Sequence, residues 1–297
     1  MNDLEGEPTP PGTPSGLTLR WSGATDPGRI RDLNEDSWLA TGSVFLVADG
    51  MGGHSRGEVA SRAVVAAFSH LDQDWVTPET VAECLSAAGQ EVEALSAYKP
   101  APGSTVVGAA RALEAGQPCW LVFNIGDSRA YLLRHGALEQ VSVDHSKVQE
   151  MKDAGMAIPQ VPRNVITRAI GAGSHRAPQA DLWLIPALRG DRVLLCSDGL
   201  TTEVSDPLIA ATLLSAPDPA EAVRRLITAA VCAGGRDNVS AVVVDATEVI
   251  SARGDAGQTE DTLDETDDVY LTVPDDDTVP KAPFEVFAET SHQEAQA

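Results

Sequence analysis

The stretch VFLVADGMGGH, Val44 to His54, decides how the rest of the chain is read. Val44 to Ala48 is an apolar run of strand length, and it stops on Asp49, a glycine, a methionine, two more glycines and a histidine. Such a run reads as the inside of a sheet with a carboxylate at its mouth. A charge held there costs several kcal/mol or more unless something pairs with it or neutralises it.

The arrangement recurs elsewhere. WLVFNIGD ends on Asp127, RVLLCSDG ends on Asp198 and Gly199, and GGRDNVSAVVV puts Asp237 and Asn238 just ahead of another run. RDLNED places Glu35 and Asp36 shortly before Trp38. Each corner alone is ordinary turn chemistry. Together, five acidic corners flanking core strands would gather at one end of a two-sheet core and repel one another unless divalent cations lay between them. The donors are oxygens, with no Cys or His at ligand spacing, which selects Mg²⁺ or Mn²⁺ over zinc or copper. Gly50 lets the backbone come close to an ion and offer its carbonyl. Two such ions about 3.5–4 Å apart form the usual apparatus for hydrolysing a phosphate ester. A phosphate among carboxylates needs a cationic partner, and Arg31 and Arg29 are the nearest guanidinium groups.

Composition sets the frame. With 297 residues and 43% apolar content the chain can bury one sizeable core. A net charge of −23 argues against nucleic acid or anionic lipid as partner. Cys84, Cys119, Cys196 and Cys232 are widely spaced and read as buried thiols in a reducing compartment. No signal-type segment opens the chain, and no apolar run of about 18 residues occurs in it. The expectation is a soluble, cytoplasmic, monomeric protein without a membrane anchor. Residues 1–16, rich in Pro and Gly, read as a flexible leader. Residues 251–297 carry thirteen Asp or Glu against Arg253 and Lys281, a net of −11, and read as a disordered acidic tail. The span 17–250 is left as one folded domain.

Within it, ten short β-rich runs alternate with turn residues, among them LTLRWSGAT, DSWLAT, CWLVFNIGD, RAYLLR and VSAVVVDA. Four stretches carry apolar residues three and four apart, as helices do: GEVASRAVVAAFSHL, TPETVAECLSAAGQEVEAL, HSKVQEMKDAG and DPAEAVRRLITAAVCAG. In the second, Thr77 is the expected N-cap and Pro78 the first helical residue. RHGA reads as a hairpin turn. Strands come as meanders rather than in strict alternation with helices, which favours stacked antiparallel sheets with helices outside over a doubly wound sheet.

RDLNED, VADGMGGH, GEVAS, NIGDSRAY, DHS, RNVITRAIG, LLCSDGL and GGRDNVSAVVV, in that order from Leu17 to Asp245, resemble the metal-dependent serine/threonine protein phosphatases, the PPM or type 2C family, in its bacterial form. The resemblance implies an α+β fold, a four-layer αββα sandwich of two antiparallel sheets flanked by helices, with two Mn²⁺ or Mg²⁺ ions and room for a third. It implies hydrolysis of phosphoserine and phosphothreonine in proteins by attack of a hydroxide on the dinuclear centre, opposing Ser/Thr kinases. Carried over residue by residue, Asp49 bridges the two metals, and Asp198 and Asp237 complete the ligands of the first ion. Glu35, through water, and the Gly50 carbonyl serve the second ion, with Asp36 bonded to its water. Asp127 and Asp198 hold the third ion, Arg31 the phosphate, and Asn238 supports the ligands. Met51 stands where animal relatives have a histidine general acid, so the nearest candidate is His54, which also reads as a helix-entry residue beside Gly57 and Glu58. The flap after DHSKVQEMKDAG is short, MAIPQVP leading straight into Arg163. His145 reads as a turn or core histidine. An idle phosphoprotein-binding relative would be expected to have lost its ligands, and this set is complete.

Overall fold

The computed structural model describes residues 15–52, 56–71, 73–95, 101–156, 165–174 and 177–252. One sheet runs in the order β1 (Gly16–Asp26), β12 (Val239–Ile250), β11 (Arg192–Cys196), β7 (Arg129–Arg134), β8 (Ala137–Gln140). The other runs β10 (Asp181–Pro186), β6 (Gln117–Ile125), β5 (Val106–Glu114), β3 (Val44–Met51), β4 (Gly103–Ser104), β9 (Ile170–Gly171), with β2 (Asp36–Ala40) also paired to β3. All pairings among these strands are antiparallel. Helices α1 (Arg56–Phe68) and α2 (Pro78–Glu93) cover the second sheet. Helices α4 (Asp198–Glu203), α5 (Asp206–Ser215) and α6 (Pro219–Ala233) cover the first. A further short helix, α3 (Lys147–Asp153), follows Ser146, whose hydroxyl caps it by accepting from the Gln149 amide. The architecture is the expected α+β sandwich of four layers, αββα.

Local chemistry accounts for much of this. Thr77 caps α2, its hydroxyl accepting from the Thr80 amide at 3.3 Å, and Pro78 opens the helix. The turn between β7 and β8 places His135 and Gly136 at φ 50° and 83°, the left-handed pair that a two-residue hairpin requires. Gly16 already belongs to β1, one residue inside the expected leader. The remainder of the leader and nearly all of the acidic tail lie outside the described residues.

The two-residue period of the strands sorts side chains into three apolar layers. On β3, Val44, Leu46 and Ala48 pack toward α1 and α2, whereas Phe45 and Val47 enter the layer between the sheets. The same alternation puts Val193 and Leu195 of β11, and Val242 and Val244 of β12, between the sheets. Continued one step past the apolar residues, the parity assigns Asp49, Ser197 and Ser240 to the inter-sheet side. The middle layer thus turns from apolar to polar at one end. Each fully buried aliphatic or aromatic side chain contributes about 1.5–3 kcal/mol, so a layer of this size tolerates desolvated carboxylates at its margin.

Candidate metal centre

Asp49 sits at the end of β3, directly across from Asp36 on β2. Its backbone is held from three directions: its amide donates to Thr105 Oγ1 at 3.1 Å, and its carbonyl accepts from the Thr105 amide at 2.8 Å and Ser104 Oγ at 3.1 Å. Thr105 Oγ1 in turn lies 2.8 Å from Ser128 Oγ, next to Asp127. Gly50 continues into a very close approach to the start of α1. A Cβ on Gly50 would strike the Gly57 and Glu35 carbonyls, and one on Gly57 would meet the Gly50 carbonyl at 2.6 Å and Glu35 Oε1 at 2.7 Å. Only glycines permit this packing.

The carboxylates feel one another. Burial raises Asp49 well above the usual carboxylate range, and the charges of Asp36, Asp198, Asp127 and Asp237 raise it further. Asp36 is pushed up to about 7 by burial, then by Asp198 and Asp237, against the lowering effect of two hydroxyls. Those are Ser197 Oγ at 2.8 Å and Ser240 Oγ at 2.7 Å, both donating to Asp36 Oδ2. Asp127 is pushed up to about 7 by burial and the Asp198 charge. Asp198 opens α4 and is raised by burial and by Asp237, while a hydrogen bond with Asp49 opposes the rise.

A clamp carries the loop that joins β1 to β2. Asn238 Nδ2 donates to the carbonyls of Pro27 at 3.0 Å and Leu33 at 2.9 Å, and its Oδ1 accepts from the Glu35 amide at 2.9 Å. The Arg29 amide donates to the Gly235 carbonyl at 2.6 Å. This fixes Arg31, whose Nη2 donates to Asp237 Oδ2 at 2.7 Å. Asp237 first, then Asp49 and Glu35, hold the Arg31 guanidinium more basic than usual against partial burial.

The structure therefore brings Asp36, Asp49, Asp127, Asp198 and Asp237 into one electrostatic cluster, with Arg31 at its edge. Glu35 turns aside: its Oε1 accepts from the Gly57 amide at 3.0 Å, in the first turn of α1, where the helix dipole favours an anion. Among the described residues no three Asp, Glu, His or Cys side chains already close into a single coordination shell. His54 lies outside the described residues. His145 is a core histidine, its Nδ1 accepting from the Gly126 amide at 3.0 Å and its Nε2 lying 3.0 Å from Asp181 Oδ2.

Divalent cations fit this donor set. Asp36 Oδ1 and Asp127 Oδ1 are buried without a hydrogen-bond partner among the described residues. Unpaired buried carboxylate oxygens are costly, and a hard cation satisfies them with oxygen ligands alone. The supports Thr105, Ser128, Ser197 and Ser240 escaped the sequence reading. Their signal was parity: each is a small polar residue at an inward position beside an otherwise apolar strand.

The raised carboxyls have a testable consequence for Asp127. Because its folded pKa exceeds its value in the unfolded chain, the retained proton favours the fold. That contribution is complete below about pH 4 and is lost as pH rises through about 7. In metal-free protein, Asp127→Asn should therefore gain on the wild type in unfolding free energy as pH rises across this window, by up to about 4 kcal/mol at its top. An offset independent of pH would contradict the placement.

The sequence profile described as Protein phosphatase 2C matches residues 31–229, more than half of the chain and all the clustered acids except Asp237. The chain belongs to the protein phosphatase 2C family. Among its relatives is the serine/threonine protein phosphatase PstP of Mycobacterium tuberculosis (strain ATCC 25618 / H37Rv), 39% identical over 272 residues, which cover 87% of this chain. The chain spans about half the length of that relative, 50%. The serine/threonine phosphatase stp of Listeria monocytogenes (serotype 4b, strain F2365) is 34% identical over 245 residues, 74% of this chain and 93% of the relative. A crystal structure of the PstP catalytic domain in complex with two manganese ions superposes with a TM-score of 0.68 at 38% identity, covering 78% of this chain and 100% of that one. The phosphatase 2C assignment agrees with the all-oxygen donor set and with the β-sandwich that presents it.

Proposed function

We propose that this chain is a metal-dependent phosphoprotein phosphatase, acting on phosphoserine and phosphothreonine at a pair of Mn²⁺ or Mg²⁺ ions. The observation that carries this reading is the convergence of five buried or half-buried aspartates, two with unpaired oxygens, beside one arginine. The manganese-bound PstP structure supports the choice of cation. Asp49, Asp198 and Asp237 would hold one ion and Asp49, the Gly50 carbonyl and Glu35 the other, with Asp36 beside it and Asp127 with Asp198 available to a third. When bound, such a pair supplies Lewis acidity toward the phosphoryl oxygens and acidifies a water nucleophile, so no phosphoenzyme is needed.

The chain's own residues do the rest. Arg31 offers a planar fork of donors to two phosphate oxygens, exchanging its bond with Asp237 for one with substrate. Asn238 keeps that guanidinium in place by tying its loop to the strand that follows Asp237. Ser197 and Ser240 fix the Asp36 carboxylate, and Thr105 fixes the backbone of Asp49.

We take the natural substrates to be products of Ser/Thr kinases and the domain to act as a cytoplasmic monomer. Its four cysteines are free; Cys84, Cys119 and Cys196 are buried as expected, whereas Cys232, on the last turn of α6, is exposed. No helix among the described residues is long and apolar enough to cross a membrane. The test compares phosphothreonine, phosphoserine and phosphotyrosine peptides side by side with Mn²⁺. The first two should be hydrolysed well ahead of the third; equal rates, or none, would contradict the assignment. Arg31→Ala should lower kcat/KM for the phosphothreonine peptide about 10–100-fold, the worth of a charge-assisted hydrogen bond.

A further inference from the structure

Two large exposed apolar residues bracket Arg31 in the chain. Ile30 is 68% exposed and Leu33 is 47% exposed, on either side of Arg31 in the β1–β2 loop. Single exposed aliphatic residues need no explanation, but these two stand on a loop whose backbone is anchored on both sides of Arg31. Gly28 is tied to Asp26, Arg29 to Gly235, Pro27 and Leu33 to Asn238, and Glu35 to both Asn238 and Ser61. The loop therefore holds Ile30 and Leu33 next to Arg31 in the chain, between anchored ends. Resting on the phosphatase reading, in which Arg31 holds the phosphate, the residues next to the phosphorylated one pass over this loop. Ile30 adjoins Arg31 and Leu33 stands two residues beyond it, both exposed, so a peptide whose phosphate is held by Arg31 has these two as its nearest exposed apolar neighbours on the loop.

The charge distribution sharpens the choice. With cations neutralising the aspartate cluster, the negative charge left beside the two side chains is Asp32, which stands exposed between Ile30 and Leu33. An acidic neighbour in the substrate would meet like charge, and a polar neutral one would leave the two aliphatic side chains in water. We infer that Ile30 and Leu33 form an apolar shelf that selects phosphoproteins with a hydrophobic residue adjacent to the phosphoserine or phosphothreonine and disfavours acidic flanks.

The test uses the full chain with Mn²⁺, three phosphothreonine peptides identical except for Leu, Ser or Glu on both sides of the phosphoresidue, and p-nitrophenyl phosphate, which has no flanks. Wild type should prefer the Leu peptide over the Ser peptide by about tenfold in kcat/KM, carried by KM, with the Glu peptide poorer still. The Ile30→Ser/Leu33→Ser double variant should bring the Leu-to-Ser ratio close to one while keeping p-nitrophenyl phosphate turnover within about twofold of wild type. Ile30→Val/Leu33→Met should retain the preference. Equal turnover of the three peptides by wild type, or a preference that survives in the double variant, overturns the shelf and leaves the phosphatase reading intact. Loss of p-nitrophenyl phosphate turnover in the double variant also overturns it, assigning the two side chains to loop integrity. Wild type inert toward every substrate overturns the phosphatase reading itself, and the shelf with it.

Discussion

Asp49→Asn is expected to lower Mn²⁺-dependent turnover of a phosphothreonine peptide by more than about 10³-fold, beyond the 10–100-fold that follows when a residue merely supports a ligand. Asp49 is the position at which the fields of the other four aspartates meet. Asparagine keeps the shape and leaves the Thr105 and Ser104 bonds intact, because those reach the backbone. What it removes is the anionic oxygen pair. The same change should raise the Tm of the metal-free protein, since a desolvated, mutually repelling carboxyl is replaced by a neutral amide. An inactive variant that is more stable without metal is the signature. An active variant, or one destabilised like a core truncation, would contradict the role.

Chelation should be as severe. EDTA is expected to abolish turnover, and excess Mn²⁺ to restore it. Because the cations bind the folded cluster and not the unfolded chain, Mn²⁺ at about 100 times its Kd should add about 2.7 kcal/mol per site, which for a domain of this size is a rise of about 5–10 °C in Tm. Asp237→Asn should remove most of the activity and part of that rise, and should also release Arg31 from its 2.7 Å ion pair. Full turnover in EDTA, or a Tm indifferent to Mn²⁺, would contradict a catalytic cation pair.

How much was legible in advance depends on where the signal lies. The apolar run before Asp49 carried its strand, its layer and the face on which the carboxylate falls, because a two-residue period leaves no freedom once one face is buried. Thr77 and RHGA were equally readable, since caps and tight turns are decided by neighbours in sequence. Helix α5 was not: DPLIAATLLS has no polar side to mark a face, and it is held by Ile209 and Leu213 entering a core built from distant strands. Helix α4 was hidden because its first residue, Asp198, reads as a corner. The two-residue strands β4 and β9 exist only through pairing with each other and β3.

The same distinction runs through the site. The acids were visible one by one, each at the end of an apolar run. Their supports were not, because Ser197 and Ser240 matter only through Asp36, more than 150 residues away in the chain. Asn238 was singled out, but its grip on the Arg31 loop is a tertiary fact. Glu35 and Asp237 both read as ligands. In the structure Glu35 bonds to the start of α1 and Asp237 to Arg31, two local satisfactions that compete with cations for the same oxygens.

Diffraction from crystals grown with Mn²⁺ and measured at the manganese absorption edge tests the central claim most directly. Two strong anomalous peaks bounded by Asp49, Asp198 and Asp237, with Asp49 touching both, are predicted. Peaks confined to the surface, or those three carboxylates with no ion between them, would contradict it.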